Sequence, residues 1–137
     1  MSADTLDRLS LPSPPSEEHL PEIKDNHESD GTFEFHDTKG RLVFTVSPVG
    51  MDTMSPDKIE EWQIVLPLTA FGNEVGDIAI SHQQANSGKE SKYFSAMKLQ
   101  DGDAIILKDK KQNKRLVVSV SINPETMKIK LTPTEQE

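Results

Sequence analysis

Strict alternation of apolar and polar residues near the C-terminal end constrains the fold more than any other feature. Leucine and β-branched residues occupy every second position from 115 to 122, and residues 127–131 repeat the pattern. A period of two is typical of a half-buried antiparallel strand. The residues assigned to the buried face are Leu116, Val118, Val120, Ile122, Met127, Ile129 and Leu131. Together with residues 104–108, these segments predict a three-stranded meander.

The rest of the chain after Gly31 also reads as short strands. Residues 32–36 and 41–47 predict a hairpin around the turn 37–40, which ends on glycine. Residues 62–68 predict a strand whose inward face contains Trp62, Ile64, Leu66 and Leu68, and residues 77–81 predict another. Ser55 and Pro56 indicate one helical turn.

Two stretches carry weaker patterns. Residues 82–91 show no apolar periodicity and predict an exposed loop. Residues 92–99 fit either a strand or a helix, and the turn at 101–103 favours the strand. The count is then about eight short strands, which predicts an all-β fold, a small antiparallel β-sandwich or barrel.

The first thirty-one residues predict an extended, proline-rich, acidic arm rather than part of the core. Proline at positions 12, 14 and 15 disfavours helix and central strand and favours polyproline II. The predicted organisation is an arm at 1–31, a β domain at 32–132 and a polar C-terminal tail at 133–137. The arm's apolar side chains are the candidates for binding a protein partner or a second copy: Leu6, Leu9, Leu11, Leu20 and Ile23.

Charge is distributed unevenly along a chain whose net charge is −8. The first thirty residues carry eight acids and two bases, whereas residues 89–130 carry ten bases and five acids. The candidate anion or nucleic-acid contacts are Lys108, Lys110, Lys111, Lys114 and Arg115. No aromatic residue accompanies them in the sequence, so nucleic acid is not the favoured partner.

Residue types and spacings predict no catalytic residue, metal site or cofactor. The chain has no cysteine, and its four histidines lack metal-ligand spacing. Residues 26–37 superficially match a calcium loop, but no flanking helices are indicated, so a polar turn is predicted. No apolar run approaches the roughly 20 residues of a membrane span, and no secretory signal is recognised. The expected location is cytoplasmic or within a virion.

The sequence therefore predicts a non-enzymatic structural or interaction module that attaches to a larger assembly through its arm. A capsid-decorating virion accessory protein is one example of this class. The alternatives are a nucleic-acid-binding β-barrel that uses the 108–115 loop, and a carbohydrate- or peptide-binding β-sandwich. Salt dependence separates them, because phosphate binding weakens steeply with added salt.

Overall fold

A computed structural model describes residues 20–21, 29–50 and 59–136, and these residues contain strands and no helix. The all-β class is therefore confirmed. The helical turn predicted at 55–58 and most of the arm lie outside the described residues. The ten described strands are β1 (Phe33–His36), β2 (Leu42–Val49), β3 (Glu61–Val65), β4 (Glu74–Val75), β5 (Ile78–Gln83), β6 (Glu90–Ser91), β7 (Ala96–Leu99), β8 (Ala104–Asp109), β9 (Lys114–Ile122) and β10 (Ile129–Gln136).

The strands form two antiparallel sheets. One sheet has the order β10-β9-β8-β5-β4, with β6 paired to β5, and the other has the order β1-β2-β3-β7. A single hydrophobic cluster draws Phe44 and Trp62 from the second sheet and Ile80, Leu107 and Val118 from the first. Two sheets that share one core are consistent with a β-sandwich.

The alternation in β9 is confirmed. Leu116, Val118 and Val120 are buried in the core, whereas Val117 is half-buried and Ser119 is exposed on the opposite face. Trp62 links the two sheets at one end, because its indole N–H donates to the Met127 carbonyl oxygen at 2.6 Å. The strands around β9 thus direct one face inward and present the other to solvent.

The last strand begins and ends later than predicted. Met127 has a φ of 62° and lies in the turn before β10. The strand continues through Pro133, which pairs with Val118, to Gln136. Proline fits here because β10 is the outermost strand of its sheet and needs no ladder hydrogen bond on its free side. Residues 133–136 of the predicted tail therefore belong to the sheet.

The prediction that Leu68 faces inward is wrong. Strand β3 ends at Val65, and Leu68 is fully exposed, at 104%. The break has a local cause, because Pro67 cannot donate to a ladder and constrains the residue before it. The Leu66 N–H donates to the Ser95 carbonyl oxygen, and the chain then leaves the sheet.

Two other local predictions are confirmed only in part. Tyr93 has a φ of 60°, which is incompatible with an extended strand, so the strand predicted at 92–99 begins only at Ala96. The exposed loop predicted at 82–91 is shorter, because His82 and Gln83 extend β5 and Glu90–Ser91 form β6. His82 is buried rather than exposed.

Two short parts of the predicted arm contact the β domain. Leu20 packs against the core cluster, and Pro21 is buried. Ser29 forms an antiparallel bridge with Ile129, and each N–H donates to the other carbonyl oxygen at 2.9 Å. The chain thus enters the domain beside the first residue of β10. No helix in the described ranges is long and apolar enough to cross a membrane.

Asp37 organises the predicted turn between β1 and β2. Its carboxylate accepts hydrogen bonds from the Lys39 and Arg41 N–H groups and from the Arg41 Nε, the last at 2.9 Å. Burial raises the pKa of the Asp37 carboxyl. The hydrogen bonds from Arg41 and Lys39 together lower the pKa by more, so it lies below its ordinary value. Gly40, with a φ of 85°, closes the turn.

We expect Asp37 to make the protein acid-sensitive. Because the folded pKa lies below the unfolded value, about 3.9, the ionised carboxylate stabilises the fold above that pH. This contribution is lost as pH falls through the folded pKa. Asp37→Asn should lower the free energy of unfolding near neutral pH by about 1.5–3 kcal/mol and flatten its decline in acid. Urea denaturation at successively lower pH measures both effects. Glu125→Asn, in an exposed turn, is the control and should retain the wild-type slope.

Candidate binding surface

The outer face of the six-stranded sheet contains a groove of about 450 Å³. We call it the basic groove. Its floor is formed by Ala79, Ser81 and Ile106, which occupy the outward positions of β5 and β8. In each strand these residues alternate with residues that point into the core. The period of two that directs one set of side chains inward therefore directs the other set to the groove floor.

Three cations line the basic groove. Lys108 and Arg115 lie directly opposite each other in the β8–β9 register, and Lys92 joins them from the segment after β6. Among the described residues, none of the three forms an ion pair, and Glu90 is the one carboxylate that lines the groove. Like charges directly opposite each other on neighbouring strands are destabilising. The arrangement therefore favours an anion between them.

The structure separates the predicted anion contacts into two groups. Lys108 and Arg115 meet in the basic groove. Lys110 pairs with Glu74 at 2.7 Å, and Lys111 lies in the exposed turn before β9. Lys114 lies opposite Asp109 at the start of β9 and does not line the groove.

Lys92 was missed by the sequence prediction. It lines the groove because β6 pairs with β5 on the edge opposite β8, which places the segment after Ser91 at the far side of β5 from Lys108. No local pattern around Lys92 signals this pairing, because residues 84–91 carry no apolar periodicity.

A second groove, of about 410 Å³, lies between two loops. We call it the aromatic groove, and its lining residues are Leu66, Pro67, Leu68, Ala70, Gly72, Tyr93, Phe94 and Ser95. The large hydrophobic side chains exposed in the described ranges all belong to these loops: Leu68 at 104%, Phe71 at 89% and Tyr93 at 79%. Such clustering typically marks an interaction site.

Tyr93 is held in an uncommon conformation at this groove. Its φ of 60° lies in the left-handed region, which a bulky residue rarely adopts. Its ring approaches Gly72 so closely that a Cβ at position 72 would lie 3.1 Å from Tyr93 Cδ1. The ring is 79% exposed, so burial in the core does not account for this conformation.

The two grooves are neighbours. Asn73 and Lys92 line the basic groove, and the adjacent residues Gly72 and Tyr93 line the aromatic groove. In the sequence, the cations at 108–115 have no aromatic neighbour. In the structure, Tyr93 lies next to Lys92, where the two grooves adjoin. Trp62 cannot contribute an exposed ring to either groove, because it is fully buried in the core.

A buried histidine–carboxylate pair lies away from both grooves. The His82 Nε2 and the Asp103 Oδ2 are 2.6 Å apart, and both side chains are almost fully buried. Asp103 also accepts hydrogen bonds from the Gln100 and Ala85 N–H groups. This pair therefore ties the loop after β5 to the turn before β8. No group of three or more His, Asp or Glu side chains within 20–21, 29–50 and 59–136 is arranged to hold a metal ion.

The arm residues predicted to bind a partner are only partly described. Leu20 contacts the core of its own chain. Leu6, Leu9, Leu11 and Ile23 lie outside the described residues. Their assignment to a partner surface stays a prediction.

No protein-family model, no curated protein and no solved structure matches the chain.

Proposed function

We propose that this chain is a non-enzymatic interaction module that binds an extended, acidic segment of a partner protein in the basic groove. The observation that carries the proposal is the opposed pair Lys108 and Arg115, with Lys92 lining the same groove. None of these three cations forms an ion pair with a described residue. Attachment to a larger particle, such as a capsid, is one setting for such a module.

A carboxylate ligand would relieve the repulsion between these cations. Arginine presents a planar fork that binds a carboxylate through two parallel hydrogen bonds, and lysine adds a point charge. The small side chains of Ala79 and Ser81 on the floor leave room for a ligand backbone to approach the sheet. An extended peptide with acidic residues at alternate positions satisfies both requirements, because every second side chain points to the same face.

The charge balance favours a protein segment over nucleic acid. A net charge of −8 repels any polyanion at long range, and it repels nucleic acid more than a peptide with alternate carboxylates because every nucleotide carries a phosphate. Glu90 adds a carboxylate to the groove itself. Single-stranded nucleic acid is the second candidate, supported by the exposed Tyr93 ring next to Lys92. Cations beside stacking aromatics are the usual composition of a single-strand site.

Charge reversal in the basic groove should weaken the binding of an acidic peptide. The probe is a fluorescein-labelled peptide of alternating glutamate and serine, measured by fluorescence anisotropy. The double substitution Lys108→Glu and Arg115→Glu should raise its Kd by about tenfold or more, equivalent to about 1.4 kcal/mol. The matched control is Lys39→Glu with Lys128→Glu, which makes the same charge change at exposed positions outside the groove.

Equal weakening by both double substitutions would contradict the proposal, because binding would then depend on net charge alone. Labelled oligothymidylate tests the second candidate in the same assay. Tighter binding of oligothymidylate than of the peptide, lost in Tyr93→Asn, would favour nucleic acid.

A further inference from the structure

We infer that the aromatic groove binds a proline-rich segment and that its occupant is residues 11–15 of the same chain's N-terminal arm. This inference goes beyond the proposed function, which concerns the basic groove and an outside partner. It assigns a ligand class to the second groove and gives the arm a binding site on its own domain.

The groove has the character of a polyproline receptor. Its walls are Tyr93, Phe94 and Pro67, and its rim carries the exposed Leu68 side chain. Proline-rich segments bind aromatic-lined grooves because their polyproline II conformation is already formed, so little conformational entropy is lost. The strained backbone of Tyr93 keeps the ring exposed beside Gly72, where it can contact proline rings.

Residues 11–15 have the matching chemistry. Their sequence is Leu-Pro-Ser-Pro-Pro, so Pro12 and Pro15 are three positions apart. A polyproline II helix has three residues per turn, which places these two prolines on one face. Glu17 and Glu18 follow after Ser16, and Lys92, the chain neighbour of Tyr93, lines the adjoining basic groove. Residues 11–18 thus offer prolines to the aromatic rings and carboxylates to a cation next to the aromatic groove.

Chain length favours the arm's own domain over a second copy. Leu20 packs against the core, which anchors the arm five residues after Pro15. Five extended residues span up to about 17 Å, and residues 11–15 add a similar length. A short tether of this kind gives an effective concentration in the millimolar range, well above that of a free second copy.

A competition experiment on the full chain tests the inference. The probe is a fluorescein-labelled synthetic peptide of residues 9–19. It should bind the full-length arm variant Pro12→Ser with Pro15→Ser, and bind the wild-type chain about tenfold more weakly, because the wild-type arm already occupies the groove. Adding Tyr93→Asn to the arm variant should abolish peptide binding. Asparagine tolerates a positive φ, so this change removes the ring without demanding a new backbone.

Pro124→Ser, in an exposed turn, is the matched proline control and should bind the probe as weakly as the wild type. Equal affinity for the wild type and the arm variant, or no binding to either, would overturn the inference. So would sedimentation showing wild-type self-association that disappears in the arm variant, because the occupant would then be the arm of a second copy. When added to the arm variant, Lys108→Glu with Arg115→Glu should leave peptide binding unchanged. This result would separate the aromatic groove from the basic groove, so each proposal can fail without the other.

Discussion

Val118→Asp should abolish cooperative folding, whereas Val117→Asp should leave a folded protein. Val118 is 0% exposed, and its strand neighbours are Ile105 on β8 and Pro133 on β10. An unpaired carboxylate in this layer costs several kcal/mol. The total stability of a domain is only about 5–15 kcal/mol. Urea denaturation followed by circular dichroism measures the loss of the unfolding transition.

Val117 provides the matched control because it is adjacent in sequence and half-buried on the outer face of β9. An aspartate there can reach water, so the free energy of unfolding should fall by about 1 kcal/mol, a typical value for single substitutions. Comparable damage from both substitutions would mean that β9 is buried on both faces, as in a larger assembly that covers the outer sheet face.

Asp103→Ala should destabilise the domain by several kcal/mol, because each buried donor that loses its acceptor costs about 1–3 kcal/mol. The substitution leaves His82 buried and removes the acceptor for the Gln100 and Ala85 N–H groups. Two loops would lose their shared anchor at once. Chemical denaturation gives the free energy, and amide hydrogen exchange in residues 84–89 shows whether the loop opens with it.

Asp101→Ala is the control for this prediction. Asp101 lies in the same turn, but its side chain is exposed and accepts one hydrogen bond, from the Ile122 N–H at 2.9 Å. Its loss should cost about 1 kcal/mol. A double variant, His82→Gln with Asp103→Ala, should cost less than the sum of the single changes, because the two side chains act as one unit. Additive costs would show that the pair is not coupled.

Local sequence patterns determined the strands and turns that depend only on neighbouring residues. The alternation from Leu116 to Ile122 is confirmed because a period of two aligns every second side chain on one face, whatever the rest of the chain does. The turn at Asp37 is confirmed for a similar reason, since its carboxylate and Gly40 satisfy the backbone of their own four-residue turn. By contrast, Leu68 continued an alternating pattern, and one proline ended the strand before it.

Only the tertiary structure decided which distant residues share a site. Lys92 lines the same groove as Lys108 and Arg115 because β6 and β8 pair with opposite edges of β5. His82 is buried because Asp103, twenty-one positions later, supplies its partner. Strand pairings between distant residues depend on the closure of long loops and on the packing of the whole core, and no short window of sequence carries that information. The strands were therefore readable from the sequence, whereas the surface they build was decided by how the sheets assemble.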